Sequence, residues 1–300
     1  MARDVKGKVV LITGSADGLG LAMVDNFLKN DAKLAIMLDF NEKKGLESVA
    51  AMKAKYGKDR AVFYTCNVVT DLEKIFDEVI KHGYIDVVIN NAGILDEKNI
   101  KNTMNVNAIA VMEWTMKFFE YMRNDKGGNG GTIINISSIY GYRVTAHIPY
   151  YHGSKFAVMG FSKSIGHEYN YNRTGVRVVT FCPGLTKTNM ANHPHVREDA
   201  TFDDFALELK TNYEWQTADD IGRGMVETFQ QADTGGTLPV LSEPCLKGLL
   251  LLIYFSYYIR YFKVFDFKFK QCYYSINDLS VILLIFILII ICFNGFIKIM

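Results

Sequence analysis

Short β-branched runs alternate with helical patterns over residues 1–244 of the chain. Continuous apolar runs such as Val9-Val10-Leu11-Ile12 and Val87-Val88-Ile89 suit strands buried on both faces. The pattern predicts strands at Lys8–Thr13, Lys33–Asp39, Ala61–Asn67, Ile85–Asn90, Thr132–Ser137, Val176–Cys182 and Thr237–Leu241. Helical spacing of apolar positions predicts helices at Leu19–Asn30, Glu42–Tyr56, Asp71–Lys81, Asn102–Arg123, Tyr151–Tyr171 and Ala218–Gln231. Alternation repeated this often predicts an α/β fold, a seven-stranded parallel sheet with helices on both faces in a single domain. Residues 185–216 break the alternation with His193, Pro194, His195 and a mixed polar stretch. That segment is expected to be a substrate-covering loop or lid.

Composition divides the chain in two. Over all 300 residues, 33 basic and 32 acidic side chains give a net charge of +1, no ground for a nucleic-acid partner. Residues 245–300 hold Lys247, Arg260, Lys263, Lys268, Lys270 and Lys298 against Asp266 and Asp278, a net of +4, which leaves −3 for residues 1–244. A slightly acidic domain over 1–244 and an apolar tail over 245–300 are therefore expected. Residues 279–297 carry no charge. As a helix they would rise about 28 Å, close to the ~30 Å hydrocarbon core of a bilayer. The tail is either a membrane anchor or a segment translated from non-coding sequence. Its bias to Ile, Leu, Phe, Tyr and Lys, as AT-rich codons would give, slightly favours the second reading. The five cysteines contain no CxxC pair, so no zinc site or disulfide framework is expected. The first eight residues lack the apolar stretch of a signal peptide, and a cytoplasmic setting is expected.

Thr13-Gly14-Ser15-Ala16-Asp17-Gly18-Leu19-Gly20 follows the first strand and opens the first helix. Glycines there permit a tight turn and close backbone approach to a pyrophosphate, which the helix N-terminus then receives. The second strand ends at Asp39-Phe40, where a carboxylate can accept hydrogen bonds from adenosine ribose hydroxyls and repel a 2′-phosphate. No Arg or Lys stands in the glycine loop or directly after Asp39, so NAD is expected over NADP.

Further along, Asn90-Asn91-Ala92-Gly93 closes the fourth strand and Asn107 lies in the next helix. Ser137-Ser138 closes the fifth strand, Tyr151-His152-Gly153-Ser154-Lys155 opens a helix, and Pro183-Gly184 ends the sixth strand with Thr186 and Thr188 after it. With these six motifs in order over about residues 5–241, the chain resembles the short-chain dehydrogenase/reductases. It looks most like the branch of NAD-dependent 15-hydroxyprostaglandin dehydrogenase and insect-type alcohol dehydrogenases. The resemblance implies a Rossmann-type doubly wound sheet, a homodimer, and hydride transfer between a secondary alcohol or its ketone and NAD. It implies Asn107, Ser138, Tyr151 and Lys155 as the catalytic set. It also implies dinucleotide contacts from Gly14, Ser15, Asp17, Gly18, Leu19, Gly20, Asp39, Phe40, Asn67, Val68, Asn91, Ala92, Gly93, Tyr151, Lys155, Pro183, Gly184, Thr186 and Thr188. Ser138 would hold the substrate oxygen, Lys155 the nicotinamide ribose, and Asn107 a water. Ser138, Ile148 and Tyr151 would meet the substrate.

The residue chemistry agrees. Tyr151 and Lys155 are four apart and share a helix face. A phenol's ordinary pKa is ~10, and a nearby ammonium lowers it, so Tyr151 can serve as general base. Tyr150 is five from Lys155 and is assigned to packing. Two positions depart from the family. Asn67 stands where many members carry Asp beside the adenine. Apolar Ile148 stands where the prostaglandin enzyme has a polar substrate contact, which puts prostaglandin specificity in question. The spacing of His147, His152, His193 and His195 supports no metal site, and they read as loop or surface residues. Two alternative functions share the fold: a non-catalytic NAD-binding sensor and a membrane-tethered interaction protein.

Overall fold

The computed structural model describes residues 3–192, 196–212 and 214–240. The chain runs β1 (Val9–Thr13), α1 (Gly18–Lys29), β2 (Leu34–Asp39), α2 (Glu42–Tyr56), β3 (Ala61–Thr65), α3 (Leu72–Val79), β4 (Val87–Asn90), α4 (Ile100–Met104) and α5 (Ala110–Met122). It continues through β5 (Gly131–Ile136), α6 (Pro149–Ile165), α7 (Glu168–Thr174), β6 (Val176–Pro183), α8 (Asn189–Asn192), α9 (Phe202–Asn212), α10 (Ala218–Gln231) and β7 (Thr237–Val240). The strands form one parallel sheet in the order β3-β2-β1-β4-β5-β6-β7. Strand order reverses between β1 and β4, and in open α/β sheets that reversal opens a crevice at the carboxyl ends of the strands.

The uninterrupted apolar runs are explained by cores on both faces. Val10 and Ile12 of β1 pack with Met23 and Phe27 of α1 and Ile221, Met225 and Phe229 of α10. Val9 and Leu11 face the other way, among Val88, Trp114, Phe118 and Met122. Helices α1 and α10 approach closely because Gly222 lacks a side chain. A Cβ there would lie 2.4 Å from Asn26 Nδ2 and 2.6 Å from Ala22 O.

Three expectations need correction. The helix foreseen over Tyr151–Tyr171 is two helices, α6 and α7. Gly166 sits between them against β6, where a Cβ would meet Val178 O at 2.5 Å, and His167 is extended with ψ 143°. The helix foreseen at Asn102–Arg123 starts at Ile100 and widens into a π-helical turn at Asn105–Ile109. Segment 185–216 contains helices α8 and α9. No helix among the described residues is long and apolar enough to cross a membrane. The span foreseen at 279–297, the rest of the tail, His193 and His195 lie outside the described residues.

Candidate active site

The crevice begins at the end of β1. Thr13 Oγ1 accepts from the amides of Asn91 and Ala92, each at 3.0 Å, and so joins the ends of β1 and β4. Asn91 Nδ2 returns two bonds, to Thr13 O and Gly14 O, both at 2.9 Å. Asn91 thus braces the glycine loop. Gly14 has φ +63° and passes so close to the β4 turn that a Cβ would lie 2.8 Å from Ala92 Cα.

The loop is held from β2 as well. Ser15 N donates to Leu38 O at 3.1 Å. Asp39 takes Ala16 N at 3.0 Å and Asn41 N at 2.9 Å, one on each carboxylate oxygen. Asp17 caps α1 and accepts from Gly18 N at 2.7 Å. It pairs with Lys44, which holds its carboxyl below the usual range, and Asn189 of α8 donates to it at 3.0 Å. Lys44 is a basic group at this loop that inspection of the loop residues alone missed.

These residues fit a dinucleotide. Gly18 adopts φ +56°, and a Cβ there would touch only Thr188 Cγ2, at 3.7 Å. The first helical bond of α1 is Leu21 N to Asp17 O, so the amides of Leu19 and Gly20 have no helical acceptor. A Cβ on Gly20 would clash with Gly14 O at 2.1 Å. Phe40 is 77% exposed beside Asp39. Asn67 is exposed, and its Oδ1 accepts from Val69 N at 3.0 Å. Val68 O accepts from Trp114 Nε1 at 2.9 Å. At the end of β6, Thr186 Oγ1 donates to Gly184 O at 3.0 Å.

The second half of the crevice is chemical. A buried polar chain sets helix α6 against the sheet. Asn90 Nδ2 donates to Asn135 Oδ1 at 2.8 Å and to Thr115 Oγ1 at 3.1 Å, and Asn135 Nδ2 donates to Ser162 Oγ at 2.9 Å. The π-helical turn presents Asn107 to the β4 turn. Its Oδ1 accepts from Ile94 N and its Nδ2 donates to Ile94 O, both at 2.8 Å, with Ser154 Oγ at 3.2 Å. Gly93 lies beside this pair, a Cβ there being 3.3 Å from Asn107 Oδ1 and 3.6 Å from Lys155 Nζ.

Ser137 Oγ donates to Lys155 O at 2.9 Å, while Ser138 Oγ accepts from Tyr140 N at 3.2 Å and its hydroxyl draws the Tyr151 phenol's pKa down. Lys155 is buried, donates to Ile136 O at 3.0 Å and stands 5.5 Å from the centroid of the Tyr151 ring. Ile148 is fully buried just ahead of α6. His152 corrects the surface reading. It is buried, with Nδ1 3.0 Å from Tyr140 O and Nε2 accepting from Thr145 N at 2.9 Å.

Electrostatics differ from the simple tyrosine–ammonium expectation. Burial pushes the Tyr151 phenol up to about 12, with the Ser138 hydroxyl pulling the other way. Burial brings the Lys155 ammonium down from 10.5 to about 8. Each charged form is penalised by the enclosure, and the ammonium is bonded to a main-chain carbonyl. Between about pH 8 and 10.5 the unfolded chain binds a proton at Lys155 that the folded chain has released, so this group makes stability rise with pH. Lys155→Met removes that slope. From pH 7 to 9.5 the melting temperature of the variant relative to the parent should fall by an amount equivalent to about 2 kcal/mol, roughly 4–8 °C. A pH-independent offset in differential scanning calorimetry would contradict it.

Residues 197–208 touch this end at two points. Lys98 Nζ reaches Arg197 O at 3.1 Å and Asp199 Oδ1 at 2.9 Å. Thr145 Oγ1 donates to Glu208 Oε2 of α9 at 2.7 Å, with His147 Nε2 3.6 Å from the same oxygen.

A family model described as short chain dehydrogenase matches residues 8–198. The chain belongs to the short-chain dehydrogenase family. It is 38% identical over 187 residues to 15-hydroxyprostaglandin dehydrogenase [NAD(+)] of Rattus norvegicus, covering 61% of this chain and 70% of the relative. It is 34% identical over 236 residues to alcohol dehydrogenase 2 of Ceratitis cosyra, covering 77% and 90%. Among solved structures, it is similar to a 3-ketoacyl-(acyl-carrier-protein) reductase from Brucella melitensis complexed with NADH. That match has a TM-score of 0.66 and 22% identity over 80% of this chain and 98% of the other, a likeness of fold. Levodione reductase gives a TM-score of 0.65 and 20% identity over 79% and 96%. Membership in this dehydrogenase family makes the chain an oxidoreductase, and its seven-stranded sheet follows the same Rossmann-type plan.

Proposed function

We propose that this chain is an NAD-dependent dehydrogenase of secondary alcohols. The observation that carries the reading is the meeting of Ser138, Tyr151 and Lys155 beside a glycine loop backed by Asp39. When bound, NAD would supply the hydride acceptor and a positive ring charge. Ser138 would hold the substrate oxygen by its hydroxyl. The Tyr151 phenol would take the carbinol proton in oxidation and return it in reduction. The Lys155 ammonium, on the same face of α6, would stabilise the phenolate. The carboxylate of Asp39 favours NAD, because a 2′-phosphate beside it would meet a like charge. Names of the relatives support a lipid or small secondary alcohol as substrate. Apolar Ile148 supports a specificity other than the relative's prostaglandin.

The test is a panel of secondary alcohols, with NADH formation followed by absorbance. Turnover with at least one alcohol is expected, with kcat/KM for NAD at least tenfold above that for NADP. Tight NADH binding without turnover on any member would favour a sensor and overturn the enzyme reading.

A further inference from the structure

Glu97 is 1% exposed, and no cation pairs with its carboxylate among the described residues. Its two oxygens instead accept from Tyr150 N at 2.9 Å and Tyr151 N at 2.7 Å. These are the amides that the first turn of α6 leaves open. Pro149 at the start of the helix has no N–H, Ile148 before it has no capping side chain, and His152 N already bonds Ile148 O at 3.0 Å. The carboxylate thus serves both available donors, and these two bonds at the positive end of the helix counter part of a burial that pushes its pKa up.

The chain segment that carries Glu97 is itself anchored. It leaves the Asn90–Gly93 turn, is held at Ile94 by both ends of the Asn107 amide, and at Asp96 O by Thr103 Oγ1 at 2.5 Å. Glu97 therefore links the turn at the dinucleotide crevice to the main chain of Tyr151. We infer that Glu97 is a positioning residue for Tyr151, fixing where the phenol starts relative to the Asn90–Gly93 turn. The inference rests on the proposal that Tyr151 moves the proton. Misplacement by about 1 Å of a reacting group can cost on the order of 100-fold in rate.

The experiment compares the parent with Glu97→Gln and Glu97→Ala in the full chain, with folded enzyme counted by NADH fluorescence titration. Glutamine has the same shape but one acceptor oxygen, so it keeps one of the two bonds. Per folded enzyme, kcat is expected to fall about tenfold in Glu97→Gln and about 100-fold in Glu97→Ala. KM for NAD should stay within twofold. A role confined to stability would lower the folded fraction and leave kcat per folded enzyme unchanged. If Glu97→Ala does not fold, Glu97→Gln decides: kcat within twofold of an active parent overturns the inference alone. A parent that turns over no alcohol overturns the functional reading and this inference with it.

Discussion

Tyr151→Phe should lower turnover of any alcohol the parent oxidises by about 1,000-fold, the middle of the range that one positioned acid–base group supplies. The substitution removes one oxygen and little else. The ring keeps its edge contact with Tyr140, at 6.5 Å between centroids, and its place 5.5 Å from Lys155 Nζ. Losing the hydroxyl should cost about 1 kcal/mol of stability, so the variant should fold and bind NADH like the parent. In the free protein burial already keeps the phenol protonated, up to about 12. Its work as a base thus depends on positive charge arriving with the bound dinucleotide and on Lys155. Steady-state kinetics and NADH titration on one preparation separate chemistry from binding. Activity above one-tenth of the parent would move the proton transfer to another group.

Much of this site could be read from the sequence because its parts are local. A glycine loop between a strand and a helix, and Tyr151 four residues before Lys155, are each set by a few neighbouring positions. Strands such as β1 were plain because both faces are buried, so their apolar runs are unbroken. What escaped depends on distance along the chain. Glu97 caps a helix whose first turn lies 53 residues on, and no short pattern announces such a cap. Lys44 reaches Asp17 across 27 residues. His152 looked like a surface residue because its two partners, Tyr140 O and Thr145 N, belong to a loop that only the fold brings over it. Helix α9 did carry a signal, since Phe205 and Leu209 are four apart and both buried, after Asp203 and Asp204 in the first turn. Its brevity amid polar residues hid it.

Arg177 stands in the middle of the β6 run Val176-Arg177-Val178-Val179, and Arg177→Met should be the most destabilising of these substitutions. The side chain is 2% exposed and no carboxylate among the described residues is bonded to it. Its guanidinium donates to Phe229 O at 2.7 Å, to Ala232 O, and to Thr132 Oγ1 from Nε at 3.2 Å and Nη2 at 3.0 Å. Phe229 and Ala232 lie at the end of α10, where carbonyls have lost their helical donors and the dipole is negative. Arg177 thus caps that helix from the sheet, and Arg3 adds a bond to Ala232 O at 3.1 Å. Burial, with the like charge of Arg3 beside it, brings its pKa down to about 9. Methionine fills similar space but takes the guanidinium donors from Phe229 O and the Thr132 hydroxyl and leaves Ala232 O with Arg3 alone. The loss should be about 3–5 kcal/mol, or roughly 6–20 °C in melting temperature. Lysine should recover only part of it, because one ammonium cannot reproduce the planar fork that reaches Thr132 and both carbonyls. The fraction of Arg177→Met that remains folded should still bind NADH, since the substitution lies at the opposite end of β6 from Pro183-Gly184. A melting temperature within 3 °C of the parent would show that the carbonyls of α10 find other donors, Arg3 first among them.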